Sequence, residues 1–250
     1  MERLLTLIMD VGEHMLRSGA EVDRAEESVK RMGISLGFSR IDVFIITSSI
    51  VVSAFCPDGK TITQTRRIES GTTDFEKLHR LNQLSRNICE NKMSADEIEE
   101  ALSRALKCRH YPIWLEVVSY ALVAFSFTLF FGGGIVEAIV AMLIGAVIRI
   151  TLVFSEKLIS NKMFSKFLSS LIATALSFVA LAIGIIPDVD KVMIGNIMLL
   201  IPGIGLTNAL RDLFSGDSIA GLLRTVEACL IALSIAAGYF AVAVIGGALL

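Results

Sequence analysis

Two apolar runs, WLEVVSYALVAFSFTLFFG (residues 114–132) and IVEAIVAMLIGAVIRITLVF (residues 135–154), decide the fold class of this chain. Each run has the length of about 20 residues that an α-helix needs to cross a lipid bilayer. Three further segments have similar length and apolarity, at 167–187, 192–210 and 219–245, of which 192–210 is the least regular. The sequence therefore predicts an α-helical polytopic membrane protein with about five transmembrane helices.

The charged residues are concentrated outside these runs. The chain has 250 residues, is 54% hydrophobic and 19% charged, and most of its charges precede residue 110. A soluble domain usually has about a quarter of its residues charged. We therefore predict a cytosolic domain over 1–110 and a transmembrane domain over 111–250. The net charge of −2 gives no indication of nucleic-acid binding.

The loop charges predict the orientation in the membrane. Basic residues cluster at one set of segment ends, namely Arg104, Lys107, Arg109, Lys157, Lys162, Lys166, Arg211 and Arg224. The alternate loops, at 132–134 and 187–191, carry one lysine between them. Because basic residues collect on the cytoplasmic side, we expect an inner (cytoplasmic) membrane protein with a cytosolic N-terminus and an external C-terminus. If segment 192–210 is instead two half-helices that enter and leave on one side, the C-terminus lies inside.

The first 110 residues predict a small α+β domain without a signal peptide, since acidic residues interrupt the first 30 positions. Apolar residues at helical spacing and three capping boxes, at Ser18–Glu21, Thr73–Glu76 and Ser94–Glu97, predict four helices. These helices are expected at 4–16, 19–35, 74–91 and 95–107. β-branched and aromatic residues, followed by a turn signal at Pro57–Lys60, predict a three-stranded meander at 41–47, 50–56 and 60–68.

A proline and two glycines, Pro202, Gly203 and Gly205, interrupt the fourth apolar segment. Proline lacks a backbone donor and clashes with the preceding helical turn. In lipid, a broken helix is tolerated only where protein or a water-filled cavity satisfies the freed groups, and transporters use such breaks to bind substrate. Polar residues flank the break. We therefore predict a substrate-binding site formed by Asn196, Pro202, Gly203, Gly205, Asn208, Arg211 and Asp212. The alternative is a proline kink that only shapes helix packing.

Three ionisable residues, Glu137, Arg149 and Glu227, fall inside predicted spans. Charge at membrane depth is costly and indicates function by default. The structural alternatives are that Arg149 snorkels to the interface, that Glu137 is hydrated near the outer end, and that Glu227 pairs with Arg224 on the same helical face.

Residues that could support catalysis or metal binding are sparse. Asp10 and His14 share one helical face, but no third ligand or nucleophile accompanies them. The four cysteines, Cys56, Cys89, Cys108 and Cys229, lack metal-site or disulfide spacing. No nucleotide-binding signature is present. We expect no catalytic residues, no metal and no cofactor, and an ion gradient as the energy source.

Two stretches resemble the threonine/serine exporter family. The first is SGAEVDRAE (18–26), and the second combines IPG (201–203), NALRDL (208–213) and SGD (215–217). The order of parts, a cytosolic domain followed by five spans, agrees over essentially the whole chain. Full-length members have about ten spans, so the chain is similar to the N-terminal subunit of the split form of that family.

The resemblance implies a subunit of a secondary exporter for small amino acids (threonine or serine) or dicarboxylates such as succinate. A second small multi-span membrane subunit would supply the rest. The family's N-terminal domain is described as hydrolase-like, so the alternative is a membrane-anchored hydrolase that uses this domain. A regulatory or scaffolding membrane protein is a third reading.

Overall fold

The computed structural model describes residues 1–68, 71–107, 111–159 and 161–249, with side chains up to Val244. Cys108, Arg109 and Leu250, which enter the predictions above, lie outside the described residues. The chain divides into two compact units. The N-terminal unit comprises Met1–Arg109 and Gly205–Thr225, and the membrane unit comprises His110–Ile204 and Val226–Leu250. Residues 205–225 therefore belong to the same compact unit as the first 109 residues, although they overlap the predicted spans 192–210 and 219–245.

The N-terminal unit has the predicted α+β content. Its elements within the first 109 residues are α1 (Glu2–Arg17), α2 (Val22–Ser35), β1 (Arg40–Ile46), β2 (Ser49–Phe55), β3 (Thr61–Arg67), α3 (Phe75–Asn91) and α4 (Ala95–Leu106). The strands form an antiparallel sheet in the order β1-β2-β3, with Val52 opposite Val43 and Gln64. The three-stranded meander is thus confirmed. Alternation in β2 buries Ile50, Val52 and Ala54 in the core of this unit.

Two of the three predicted capping boxes were wrong. Ser18 is the C-cap of α1, not the N-cap of the next helix, because the chain turns at Gly19 (φ +97°) and α2 begins only at Val22. Asp74, rather than Thr73, caps α3, and its side chain accepts from the Lys77 N–H at 2.9 Å. The Ser94–Glu97 box at the start of α4 is confirmed.

The membrane unit is built from long apolar helices. They are α5 (Ile113–Phe130), α6 (Ile135–Leu158), α7 (Lys162–Ala182) and most of α10 (Ser218–Leu249), with the short α8 (Asp190–Ile197) and the start of α9 (Gly203–Ser215). Within the described residues, α5, α6, α7 and Ser218–Val244 of α10 are long and apolar enough to cross a membrane. Four of the predicted spans therefore correspond to single helices.

The fourth predicted span, 192–210, is not one helix. α8 ends at Ile197, turns and a bend occupy 198–201, and α9 begins at Gly203. The reason is that Pro202 cannot donate to the helical ladder and disfavours helical geometry in the residue before it.

Small residues allow α5 to pack closely against α6 and α8. A Cβ at Gly145 would lie 2.8 Å from the Ala124 Cβ and 2.9 Å from the Tyr120 carbonyl oxygen. A Cβ at Gly195 would lie 3.0 Å from the Thr128 nitrogen and 3.1 Å from the Ala124 carbonyl oxygen. Such contacts are typical of helix association in membranes, where small residues let backbones approach.

Candidate functional site

The predicted substrate-binding residues are divided between the two units. Asn196, Pro202 and Gly203 belong to the membrane unit, whereas Gly205, Asn208, Arg211 and Asp212 belong to the N-terminal unit.

Asn196 lies in the last turn of α8, just before the break. Its side chain is fully buried, and its amide nitrogen donates to the Val192 carbonyl at 2.9 Å. Its Oδ1 has no hydrogen-bond partner among the described residues. A buried acceptor without a partner is costly, so this oxygen marks a position where a donor from a ligand or water would be stabilising.

The break itself leaves open space beside the start of α9. A Cβ at Gly203 would meet no atom within 4 Å. The first turn of a helix carries backbone N–H groups without intrahelical acceptors and a partial positive charge. These features suit an anion, although Gly203 itself already has an interaction within the chain.

Asn208 and Arg211 of α9 contact the segment between α1 and α2. The Asn208 amide donates to the Gly19 carbonyl at 3.3 Å, and the Arg211 guanidinium pairs with Glu21. Gly205 is exposed on α9. The two polar residues that sequence assigned to substrate thus hold residues 19–21 in this structure.

Asp212 is buried beside Arg224, which sequence analysis considered only as a partner for Glu227. The Asp212 Oδ2 lies 2.9 Å from Arg224 Nη1, without the alignment of a hydrogen bond, and Arg224 Nη2 donates to the Ala20 carbonyl at 3.1 Å. Burial raises the pKa of the Asp212 carboxyl, while Arg224 and the Val22 N–H act in the opposite direction. An Arg224–Glu227 pair is not formed among the described residues, and Glu227 is exposed.

Arg149 and Glu137 have structural partners that periodicity alone did not reveal. Arg149 Nε donates to Glu116 Oε2 of α5 at 2.9 Å, so Arg149 is paired across two helices. Glu137, 9% exposed, accepts from the Gly134 N–H at the start of α6. Glu116 was missed because it lies in the first turn of its helix, where an acidic residue is ordinary.

A pocket of about 360 Å³ opens beside the Arg149–Glu116 pair. It is lined by Tyr111, Leu115, Glu116, Ser119, Tyr120 and Arg149. The Arg149 guanidinium carbon lies 5.5 Å from the centre of the Tyr120 ring, within the range of a cation–π contact. This pocket is a second candidate site within the membrane unit.

A polar cluster surrounds His14 in the N-terminal unit. Arg66 pairs with Asp10 and lies 3.6 Å from Glu13, which also contacts Arg17 at 3.3 Å. Burial lowers the pKa of His14, and the Arg17 and Lys77 cations act in the same direction, against Glu13 and Asp10. No group of three or more potential metal ligands occurs among the residues that the structure describes.

Comparison with known proteins agrees with the apolar helices of this chain. The family model described as "Putative threonine/serine exporter" matches residues 6–246. The chain belongs to the threonine/serine exporter family. It is therefore a membrane protein of a transporter family, and the resemblance noted from SGAEVDRAE and IPG is confirmed.

Individual relatives match over most of the chain. A "Probable succinate transporter subunit YjjP" from Klebsiella aerogenes is 25% identical over 229 residues, covering 90% of this chain and 87% of that protein. The protein of the same name from Escherichia coli K12 is 24% identical, with 93% and 90% covered. A "Probable threonine/serine exporter" from Mycobacterium tuberculosis is 23% identical over 94% of this chain but only 45% of its own length. No solved structure matches the chain.

Proposed function

We propose that this chain is one subunit of a secondary exporter for small solutes that carry a carboxylate. The candidates are threonine, serine and dicarboxylates such as succinate. The observation that carries the proposal is the interrupted segment between α8 and α9, with its buried Asn196 and open Gly203. A membrane anchor needs no such break, because one continuous helix suffices.

A second small multi-span membrane subunit would complete the transporter. The support comes from the relatives, since two proteins named as transporter subunits are covered over 87% and 90% of their length. The relative named as an exporter is covered over only 45% of its length. The chain therefore corresponds to a part of that exporter and to nearly all of the named subunits.

We propose that the chain lies in the inner (cytoplasmic) membrane with its N-terminus in the cytosol, because lysines and arginines in loops collect on the cytoplasmic side. Because residues 205–225 share a compact unit with residues 1–109, we place residues 205–217, which precede the span in α10, on the same side of the bilayer as the N-terminus. α5, α6 and α7 supply three crossings, and the chain must return between Ala182 and Gly205. The regular helix within that return is α8, which has eight residues. Eight helical residues have a length of about 12 Å at 1.5 Å per residue, whereas the hydrocarbon core of a bilayer is about 30 Å thick.

We propose that the substrate carboxylate docks at the start of α9, near residues 202–208. The partial positive charge of the helix dipole favours an anion there. Asn208 and Arg211 lie on the following turns, and the Arg211 side chain is 56% exposed even in its pair with Glu21. Arginine suits a carboxylate because its planar fork matches two oxygens.

Reconstitution tests the exporter proposal directly. Proteoliposomes are prepared with this chain, with a short multi-span protein encoded beside it, and with both. They are loaded with labelled succinate, threonine or serine. We expect efflux only when both proteins are present and a proton or sodium gradient is imposed. No efflux of any solute from the combined vesicles would overturn the function, and full efflux with this chain alone would overturn the two-subunit arrangement.

A membrane-anchored hydrolase remains the second candidate, and the half-buried His14 beside Asp10 is the observation that favours it. Burial lowers the pKa of His14 and so favours the neutral imidazole that a general base requires. Hydrolysis of ester or amide substrates by the purified chain, lost in His14→Gln, would support this reading. The same rate of hydrolysis in His14→Gln as in the wild type would rule out the hydrolase function.

A further inference from the structure

We propose that Arg149 and Glu116 form a carboxylate-binding subsite of the membrane unit, in which Glu116 occupies Arg149 until a substrate carboxylate replaces it. This inference rests on the proposed export function and names a site distinct from the start of α9. The occupant is a small carboxylate-bearing solute, which binds in the pocket beside the pair.

The geometry of the pair leaves it open to exchange. Arg149 Nε and Nη2 both donate to one oxygen of Glu116, Oε2, the first at 2.9 Å. The strongest guanidinium–carboxylate arrangement uses two parallel bonds to two different oxygens. Glu116 therefore does not form that two-oxygen arrangement. A free carboxylate that accepted from Arg149 with both of its own oxygens would bind the guanidinium more strongly than Glu116 does.

The surroundings fix the guanidinium and provide room for a ligand. The Tyr120 ring lies under Arg149, with 5.5 Å between the guanidinium carbon and the ring centre. Ser119 adds a hydroxyl and Leu115 an apolar wall to a pocket of about 360 Å³. Binding sites for small molecules have volumes of about 300–1,000 Å³ and combine apolar walls with a few placed polar groups. The pocket is thus large enough for a four-carbon dicarboxylate or a small amino acid.

The position in the membrane argues against a purely structural pair. Both residues lie on candidate spans, α5 and α6, where charge is costly. A buried ion pair is often no more stabilising than apolar side chains of similar volume. The side chains of Arg149 and Glu116 are 20% and 30% exposed, so neither is enclosed by the helix packing. A pair that only joined two helices would not need an adjoining pocket.

Equilibrium binding in membranes that contain the chain and its partner subunit tests the subsite. Labelled succinate is the probe, and succinamide, which lacks carboxylates, is the control ligand. We expect Arg149→Gln to weaken succinate binding about tenfold or more, as loss of a charged hydrogen-bond donor implies, and Arg149→Lys to weaken it less. Glu116→Gln removes the competing anion, so it should strengthen binding several-fold. Succinamide should not compete.

Lys157→Gln is the matched control for charge. Lys157 is an exposed cation in the last turn of the same helix, outside the pocket, so its loss should leave succinate affinity unchanged. Equal weakening in Lys157→Gln and Arg149→Gln would show a general charge effect and overturn the subsite. Equal loss of binding in Glu116→Gln and Arg149→Gln, with reduced membrane abundance, would show a structural pair and overturn it as well.

A lipid phosphate offers similar anion chemistry, and a second arm separates that source. The complex is placed in bilayers of phosphatidylcholine or of phosphatidylglycerol. We expect the Arg149→Gln effect on succinate to be the same in both. Anionic lipid that abolishes wild-type succinate binding, with no further effect of Arg149→Gln in that lipid, would assign Arg149 to a headgroup and overturn the proposal.

Transport by the same preparations distinguishes this inference from the export function. If the wild type exports succinate and Arg149→Gln shows the same efflux and the same succinate binding, the subsite alone is overturned. Succinate binding that depends on Arg149, without efflux of any tested solute, would support the subsite and overturn the export function.

Discussion

The Asp212 carboxylate, 1% exposed, lies 2.9 Å from the Arg224 guanidinium, and this contact joins α9 to α10 beside the start of α2. Arg224 also donates to the Ala20 carbonyl. Glu21, the N-cap of α2, makes no side-chain hydrogen bond to the helix, and the Val22 N–H donates to the Asp212 carboxylate instead. A charge from α9 thus takes over part of the capping of α2.

Arg224→Gln should destabilise the N-terminal unit strongly. The substitution leaves the buried Asp212 without its counter-charge, and breaking a buried pair in this way costs about 3–5 kcal/mol. Thermal unfolding of the purified chain in detergent measures the effect. Arg211→Gln is the control, because its pair with Glu21 is 56% exposed on the arginine side and should contribute only about 1 kcal/mol or less. Similar losses in both variants would contradict the prediction.

The α9 residues give a test of substrate binding near 202–208. Asn208→Ala and Arg211→Lys should lower efflux at normal membrane abundance, with apparent affinity reduced about tenfold. Glu21→Gln removes the protein partner of Arg211 but keeps the arginine charge, so it should leave efflux at or above the wild-type rate. Unchanged efflux in both α9 variants would eliminate this site. A loss in Glu21→Gln equal to that in Arg211→Lys would show that Arg211 serves only to hold residue 21.

Substitution by alanine should affect assembly and stability differently at two glycines near the break. At Gly195 the added Cβ would lie 3.0 Å and 3.1 Å from backbone atoms of Thr128 and Ala124, which cannot move independently, so Gly195→Ala should cost about 1–3 kcal/mol. At Gly203 the Cβ would enter open space, and Gly203→Ala should assemble normally. Membrane abundance and unfolding temperature measure both variants. Poor assembly of Gly203→Ala would favour the packing role of the break.

The stability of the N-terminal unit should depend on His14 at mildly acidic pH. Burial lowers the pKa of His14 below its ordinary value of 6.5, so the unfolded chain takes up the proton first as pH falls. Stability is then highest above pH 6.5 and declines as pH falls towards the lowered pKa. Unfolding temperatures of wild type between pH 7.5 and 5 should fall more than those of His14→Gln. His79→Gln, which replaces an exposed histidine, should keep the wild-type slope.

Topology provides a test that does not involve the substrate. Because residues 205–225 share a unit with residues 1–109, α10 should carry the C-terminus to the opposite side of the membrane from the N-terminus. Fusions at both ends to alkaline phosphatase, active outside, and to green fluorescent protein, fluorescent inside, measure this. Fluorescence from a fusion after Leu250 would show an even number of crossings and a re-entrant α8–α9 segment.

Local patterns in the sequence were sufficient for the elements. The continuous apolar runs predicted α5, α6, α7 and α10, because a bilayer requires a long apolar helix with its backbone bonds satisfied internally. The β-branched run and its turn predicted the three-stranded sheet. Pro202 predicted the break between α8 and α9, because the missing N–H acts within one helical turn. The boxes at Ser18 and Thr73 failed, since capping depends on where the chain turns and shifts by a residue or more.

Only the tertiary structure decided which distant side chains meet. Glu116 lies 33 residues from Arg149, and Ala20 lies 204 residues from Arg224. No spacing along one helix encodes such contacts, because they depend on how separate elements pack. The sequence by itself determined a membrane-spanning chain of the exporter family, with one interrupted apolar segment and with charged residues in its spans. Packing decided that Asp212 and Arg224 support α2, and that Arg149 faces a carboxylate beside a pocket.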